Sequence, residues 1–259
     1  MPPQWFSAFD AYSYRARLLP ALLTVLPVLL TAMILYPSLY TGTGAAVASL
    51  AVWCGALWFL ANVVRTLGRA AEKTLHAEWG GLPTTSMLRH RDDQLDVHTK
   101  RRYHRFLATR VPGLRLPTEA DELADPIAAD ATYRSGVKWL LEYTRKASNF
   151  SLIRIENTAY GFRRNLYGVK PVGLLLCLAC AALTGVSLAA VRPTALHAMP
   201  APMLLLCVLL LVIAACWVLF VTKTSVLDAS RAYARALLAA CETASPADGS
   251  PQTSRIIVP

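Results

Sequence analysis

The chain has 259 residues, of which 55% are hydrophobic and 16% charged, with 26 Lys and Arg against 16 Asp and Glu for a formal net charge of +10. A water-soluble domain carries about a quarter of its residues as charges, so this balance argues against one, and against an acidic or disordered chain. The apolar residues are gathered into four runs, 18–40, 45–64, 172–191 and 201–222, none of which contains an Asp, Glu, Lys or Arg.

At about 1.5 Å rise per residue each run is long enough to cross a hydrocarbon core of roughly 30 Å as a helix. The first follows Arg15 and Arg17, but its apolar length exceeds the roughly 7–15 residues of a signal peptide, so it is expected to remain as a span. Pro27 removes a backbone donor from it and predicts a kink. Thr41-Gly42-Thr43-Gly44 then turns the chain into the second run, making an antiparallel hairpin. That run continues through Arg65, Arg69 and Lys73 at helical spacing, with no breaker before Gly80-Gly81-Leu82-Pro83. The helix is expected to project about three turns beyond the bilayer.

Within the insert, Thr84, Thr85 or Ser86 can cap a helix over about 86–109, which Val111-Pro112-Gly113 stops. Thr118 with Asp121, or Asp125 with Pro126, starts the next helical segment, which runs through "YRSGVKWLLEYTRKA". A stretch from about Asn149 leads to Gly168, and Pro171 is expected to open the third span. Residues 192–200 join spans three and four as a second hairpin. Beyond 222 the helix is expected to continue to about Cys241, and the Pro- and Ser-rich end to be disordered.

These features predict an all-α membrane protein: a hairpin within 1–66, a helical cytoplasmic domain over 67–170, a second hairpin over 171–222 and a cytoplasmic helix and tail over 223–259. Residues 65–170 hold 19 basic against 12 acidic side chains, leaving +7. The positive-inside bias therefore places this segment and both termini in the cytoplasm of a multi-pass inner-membrane protein. Arg15, Arg17, Arg65, Arg69, Lys170 and Lys223, close to the span ends, give the same orientation. Five of the six cysteines lie in the spans, so no disulfide framework is implied, and Cys177-x-x-Cys180 reads as helix packing. With no ionisable residue in any span, a proton relay or ion-coupled pump has nothing to work with. Thr24, Thr31, Ser49, Asn62, Thr184 and Ser187 are the polar candidates for a pore lining, with helix packing as their plainer role.

Two basic groups stand out. "KRRYHR" brings Lys100, Arg101, Arg102, Tyr103 and Arg105 together, a pattern that suits phosphates with a stacked base, or anionic headgroups. Ahead of span three, Asn157, Tyr160, Arg164 and Tyr167 fall on one helical stripe beside Arg163, which Glu156 can pair. Arg163 and Arg164 sit seven or more residues before Pro171, farther than snorkelling cations need to be. In a homo-oligomer the Arg164 stripe would repeat as a cationic ring. A competing motif is Asp92-Asp93-x-x-Asp96, which matches the DDxxD of prenyl-transfer enzymes. On one helix face those carboxylates could chelate a hard cation, although Arg89, Arg91, Lys100, Arg101 and Arg102 would also neutralise them there.

The stretch "EYTRKASNFSLIRIENTAYGFRRNLYGVKPVGL" resembles the pre-membrane segment of bacterial four-span proteins encoded beside nucleotidyltransferases, the membrane effectors of Hailong-type anti-phage systems. The resemblance extends over spans, insert and basic charge. It implies an oligomeric channel held closed by a short deoxyadenosine oligomer made by the nucleotidyltransferase partner.

The expected function is thus an oligomeric membrane effector, a tetramer by preference. It forms a pore gated by a nucleotide or short single-stranded oligonucleotide and acts in anti-phage defence by membrane disruption, with no catalytic residue, metal or cofactor. Ligand contacts are expected from Asn157, Tyr160, Arg163, Arg164 and Tyr167, with Lys100, Arg101, Arg102, Tyr103 and Arg105 as a second group, and the remaining partners are membrane lipids and the nucleotidyltransferase. The alternative is a membrane-bound, metal-dependent enzyme acting on polyprenyl or phospholipid phosphates through Asp92, Asp93 and Asp96.

Overall fold

The computed structural model describes residues 11–40, 43–146, 150–191 and 200–243, and every regular element among them is helical. In chain order these are α1 (Ala11–Ser13), a π-helical turn (Tyr14–Leu18), α2 (Leu19–Leu35), a 3-10 turn (Pro37–Tyr40), α3 (Thr43–Glu78), α4 (Pro83–Ser86), α5 (Val97–Arg110), α6 (Glu119–Ala124), α7 (Pro126–Lys146), α8 (Ser151–Val191), α9 (Ala201–Leu219) and α10 (Lys223–Thr243). Four helical stretches, the one built on α2 together with α3, α8 and α9, are long and apolar enough to cross a membrane. The described residues divide into two compact units, one within 1–80 and 155–230, the other within 81–154 and 231–259.

In the first unit α8 carries a buried stripe at every third or fourth residue: Gly161, Asn165, Val169, Gly173, Cys177, Cys180 and Thr184. Most of these are small, and that lets other backbones come close. A methyl group on Gly168 would sit 2.6 Å from the Gly68 nitrogen of α3, and one on Gly173 would sit 2.7 Å from the Trp217 indole of α9. Gly161 likewise meets Tyr12 and Ala16 of the N-terminal helix. Lipid gives apolar helices no reason to leave it, so such close approach supplies the dispersion that holds helices together. Cys177 and Cys180 are therefore packing residues of this stripe. Outward the unit presents Val47, Leu50, Trp58 and Phe59 of α3, Leu175 and Leu178 of α8, and Leu211 and Leu219 of α9, all more than 60% exposed. Lipid, rather than water, suits a surface of that kind.

The hydroxyls of Thr24, Thr31 and Thr184 are buried and donate to the carbonyls of Pro20, Pro27 and Cys180 one turn back, as Ser187 does to Leu183. Asn62 donates to Trp58 in the same way. The three threonines thus serve packing, whereas Asn62 stays exposed. α3 runs on past Arg65, Arg69 and Lys73, as expected, and stops where Gly80 (φ 70°) and Gly81 (φ 130°) adopt backbone conformations that a side chain disfavours. Pro171 does not open the third span: it lies inside the 41-residue α8, between buried Val169 and buried Gly173. Proline disrupts only the turn that precedes it, and here contacts on either side keep the helix continuous.

The second unit is a helical domain whose core joins Met87 and Leu88 to Tyr103 and Leu107 of α5, Tyr133 and Leu140 of α7, and Leu237, Leu238 and Cys241 of α10. The second half of α10 is thus part of this core, a pairing that no motif in the sequence announces. Burial raises the Cys241 thiol pKa to about 12, which leaves it inert. The helix expected over 86–109 begins only at Val97: α4 ends at Ser86, residues 87–96 are turns and irregular backbone, and Asp96 accepts hydrogen bonds from the backbone N–H groups of His98 and Thr99 and so starts α5. Thr118 and Asp121 form the anticipated capping box ahead of α6. The 41–42 and 192–199 connections and the tail from 244 lie outside the described residues.

Candidate functional site

Within the first unit the stripe ahead of the third span is turned inward. The Arg164 guanidinium donates to the two carboxylate oxygens of Glu72 on α3 at 3.1 and 3.2 Å, and to Asn165 Oδ1 at 3.2 and 3.3 Å. It also lies 5.7 Å from the centre of the Tyr160 ring. Tyr160 donates its hydroxyl to Glu72 at 2.6 Å and lies 3.3 Å from His76 Nε2. Asn165 Nδ2 donates to the Ala16 carbonyl in the π-helical turn at 2.6 Å, tying a third helix to the network. The Arg164 side chain is only 12% exposed and Glu72 22%.

Tyr167 packs against the apolar cluster of this unit, and Asn157 is half-buried. Of the five residues expected to meet a ligand here, Arg163 alone is exposed, and it donates to the Ser225 carbonyl at 3.1 Å. Glu156 does not pair with it, because seven residues of helix separate the two by about 10 Å.

The second basic group, in the second unit, is likewise divided. Lys100 is buried and donates to the backbone carbonyls of His90 and Asp92. Tyr103 is 5% exposed and belongs to the core, and burial together with Glu242 raises its pKa to about 12. Arg102 pairs with Glu242 at 2.6 Å, both on the surface. That leaves Arg101 and Arg105, exposed one turn apart on α5.

The acidic motif does not share one helix face. Asp92 accepts from the backbone and side chain of Gln94, Asp96 caps α5, and Asp93 lies between them ahead of the helix. They line a cleft of about 560 Å³ with His90, His104, Lys100, Arg101 and Glu119, where cations and carboxylates are mixed. Among the described residues no three His, Cys, Asp or Glu side chains converge as metal ligands.

Behind this cleft lies a buried polar cluster. Glu122, 2% exposed, accepts from the His90 backbone at 2.7 Å and from the Tyr133 hydroxyl at 2.8 Å. Burial raises its pKa, but these hydrogen bonds outweigh burial and hold it below the ordinary 4.5. His104 Nε2 meets the Leu88 carbonyl at 2.7 Å, and burial, with His90 and Lys100 nearby, lowers its pKa below the ordinary 6.5. A histidine depressed by folding binds its proton more readily in the unfolded chain, so its stabilising effect is complete above pH 6.5 and fades below it. The Glu122 contribution is present above pH 4.5 and is lost as pH falls through its lower folded value. We expect the thermal midpoint in detergent to fall between pH 7.5 and 5.5, and His104→Gln to flatten that slope. A wild-type midpoint that does not change over this range would count against the assignment.

An aromatic cluster packs against the core of the second unit, and no motif in the sequence marks it. Trp139 and Tyr143 of α7 are stacked, centres 5.2 Å apart at 8°, with Phe106 of α5 at 6.4 Å from Trp139 and Phe150 at 6.1 Å from Tyr143. Arg110 lies over Phe106 at 5.8 Å. The i to i+4 spacings of Phe106–Arg110 and Trp139–Tyr143 were visible in the sequence; the meeting of α5 and α7 was not. Compared with protein families, with curated proteins and with solved structures, the chain finds no match.

Proposed function

We propose that the chain is an oligomeric membrane effector in which two helix hairpins carry a basic cytoplasmic domain. A nucleotide or short single-stranded oligonucleotide held on that domain would gate a pore, in anti-phage defence by membrane disruption. The reading is carried by the pairing of four spans that contain no ionisable side chain with a helical domain that leaves Arg101 and Arg105 exposed one turn apart. Two such cations suit successive phosphates, and counterion release makes the affinity steeply salt-dependent. The resemblance of residues 142–174 to Hailong-type effectors supports the same reading and implies an oligomer and a nucleotidyltransferase partner, the oligomer being a tetramer by preference. Gating requires a ligand that binds one pore state better than the other.

The test is ion flux through liposomes holding the purified protein, recorded with and without a single-stranded deoxyoligonucleotide. We expect flux that the oligonucleotide changes several-fold, an effect that Arg101→Glu/Arg105→Glu removes. Liposomes with no flux under either condition would end the channel reading.

A further inference from the structure

We propose that Arg17, Arg65 and Arg69 form a site for the phosphate of an anionic phospholipid at the edge of the bilayer. The site rests on the four apolar helices crossing a membrane and goes beyond the gating reading, none of whose ligand contacts it uses. Arg17 directly precedes the first apolar run and Arg65 directly follows the second, so both stand where hydrocarbon gives way to headgroups. Arg69 is one helical turn, about 6 Å, farther along α3.

One buried side chain gathers them. Asn165 of α8 is 1% exposed; its Nδ2 donates to the Ala16 carbonyl at 2.6 Å, and a methyl on Gly68 would lie 2.9 Å from its Cα. Arg17 and Arg69 are the next residues in the chain, so they flank the point at which the N-terminal helix, α3 and α8 meet. There α3 packs against the π-helical turn that carries Arg17. The Arg17 charge has those of Arg65, Arg69 and Arg164 for neighbours. Arg164 is already paired, since both Glu72 oxygens accept from it. None of the other three forms an ion pair among the described residues. Arg17 lies over the Tyr12 ring at 5.8 Å, Arg65 is half-buried and Arg69 is exposed.

Arg65 and Arg69, at i and i+4, repel one another on one helix face, and Arg17 adds a third like charge. An anion shared among them relieves that repulsion, and guanidinium forks suit phosphate oxygens. Depth selects the source: phospholipid phosphates lie at the hydrocarbon boundary, and basic pockets between spans take such headgroups. A snorkelling cation, by contrast, needs only its own reach to the headgroups and no neighbour of the same sign.

Lipid binding is read by native mass spectrometry on the full-length protein in a neutral detergent, titrated with phosphatidylglycerol or with phosphatidylcholine of the same chains. Phosphatidylglycerol should bind the more tightly. Arg65→Gln and Arg69→Gln should each weaken it about fivefold, and the double variant about twenty-five-fold, with phosphatidylcholine unchanged. Thermal midpoints without lipid should not fall in these variants; a fall would show that the fold itself holds the arginines and would count against the site. Arg15→Gln removes an exposed cation two residues from Arg17 and should leave the affinity unchanged. Equal affinity for the two lipids, or wild-type affinity in the double variant, overturns the site. So does a loss in Arg15→Gln as large as that in Arg65→Gln, which would mark general attraction to a basic surface. Inorganic pyrophosphate at the lipid's concentration should not displace phosphatidylglycerol; displacement would make this a site for soluble phosphates and overturn the lipid assignment. Each of these failures leaves oligonucleotide-gated flux standing, because that reading is tested at Arg101 and Arg105.

Discussion

Replacing Gly168 by leucine is expected to abolish the folded protein, and even Gly168→Ala should cost about 3 kcal/mol. An added methyl at this position would lie 2.6–2.7 Å from backbone atoms of Leu67 and Gly68, and backbone inside a helix cannot move aside as a side-chain tip can. Gly68→Ala should behave similarly, since its methyl would meet Asn165 at 2.1 Å. Gly185 is the control: it lies on the same helix with nothing within 4 Å, so Gly185→Ala should be neutral or gain up to about 1 kcal/mol through helix propensity. Thermal midpoints in detergent separate the two cases. Equal midpoints for Gly168→Ala and Gly185→Ala would show that α3 and α8 do not cross at Gly68.

Charge reversal at Arg164 has the second large effect. Arg164→Glu sets a second carboxylate beside Glu72, in a place where both side chains are mostly buried, and the loss should be about 3–5 kcal/mol. Glu72→Arg sets two guanidinium groups side by side and should cost a comparable amount. The exchange Glu72→Arg/Arg164→Glu should recover part of it, because the pair is rebuilt while Tyr160 loses its acceptor. Differential scanning fluorimetry of the four proteins decides the matter: additive losses in the exchanged pair would refute direct coupling. Loss of oligonucleotide binding in Arg164→Glu would consequently say little about ligand contact. Arg163, exposed beside it and donating to the Ser225 carbonyl, can be reversed without placing a second carboxylate against Glu72.

The four long apolar helices could be read from the sequence because composition alone decides which solvent a run of twenty apolar residues accepts. The reach of α3 to Glu78 was equally visible, since nothing before Gly80 breaks a helix. The break at Asp96 could not be read so easily: a carboxylate can face solvent, chelate or cap, and only the local backbone shows that it caps. The basic groups blurred for a related reason. Charge is a property of the residue, whereas availability is a property of its surroundings. Lys100, Tyr103, Tyr160 and Arg164 have the chemistry that phosphates and bases need, yet each is held by a partner far along the chain or buried, such as Glu72 with Arg164 ninety-two residues away. The open pair Arg101 and Arg105 came from the same six-residue stretch and could not be told from its neighbours.

The core of the second unit is assembled from residues 81–154 and from the end of α10, segments separated in the chain by the third and fourth spans. Its closure must therefore wait until α8, α9 and the last helix have all been synthesised. A chain terminated just after residue 222 would still carry all four spans but would leave Leu107, Tyr133 and Leu140 without Leu237 and Leu238 to cover them. An unfinished copy is thus told from a complete one by an apolar interior that stays open until the last helix is in place.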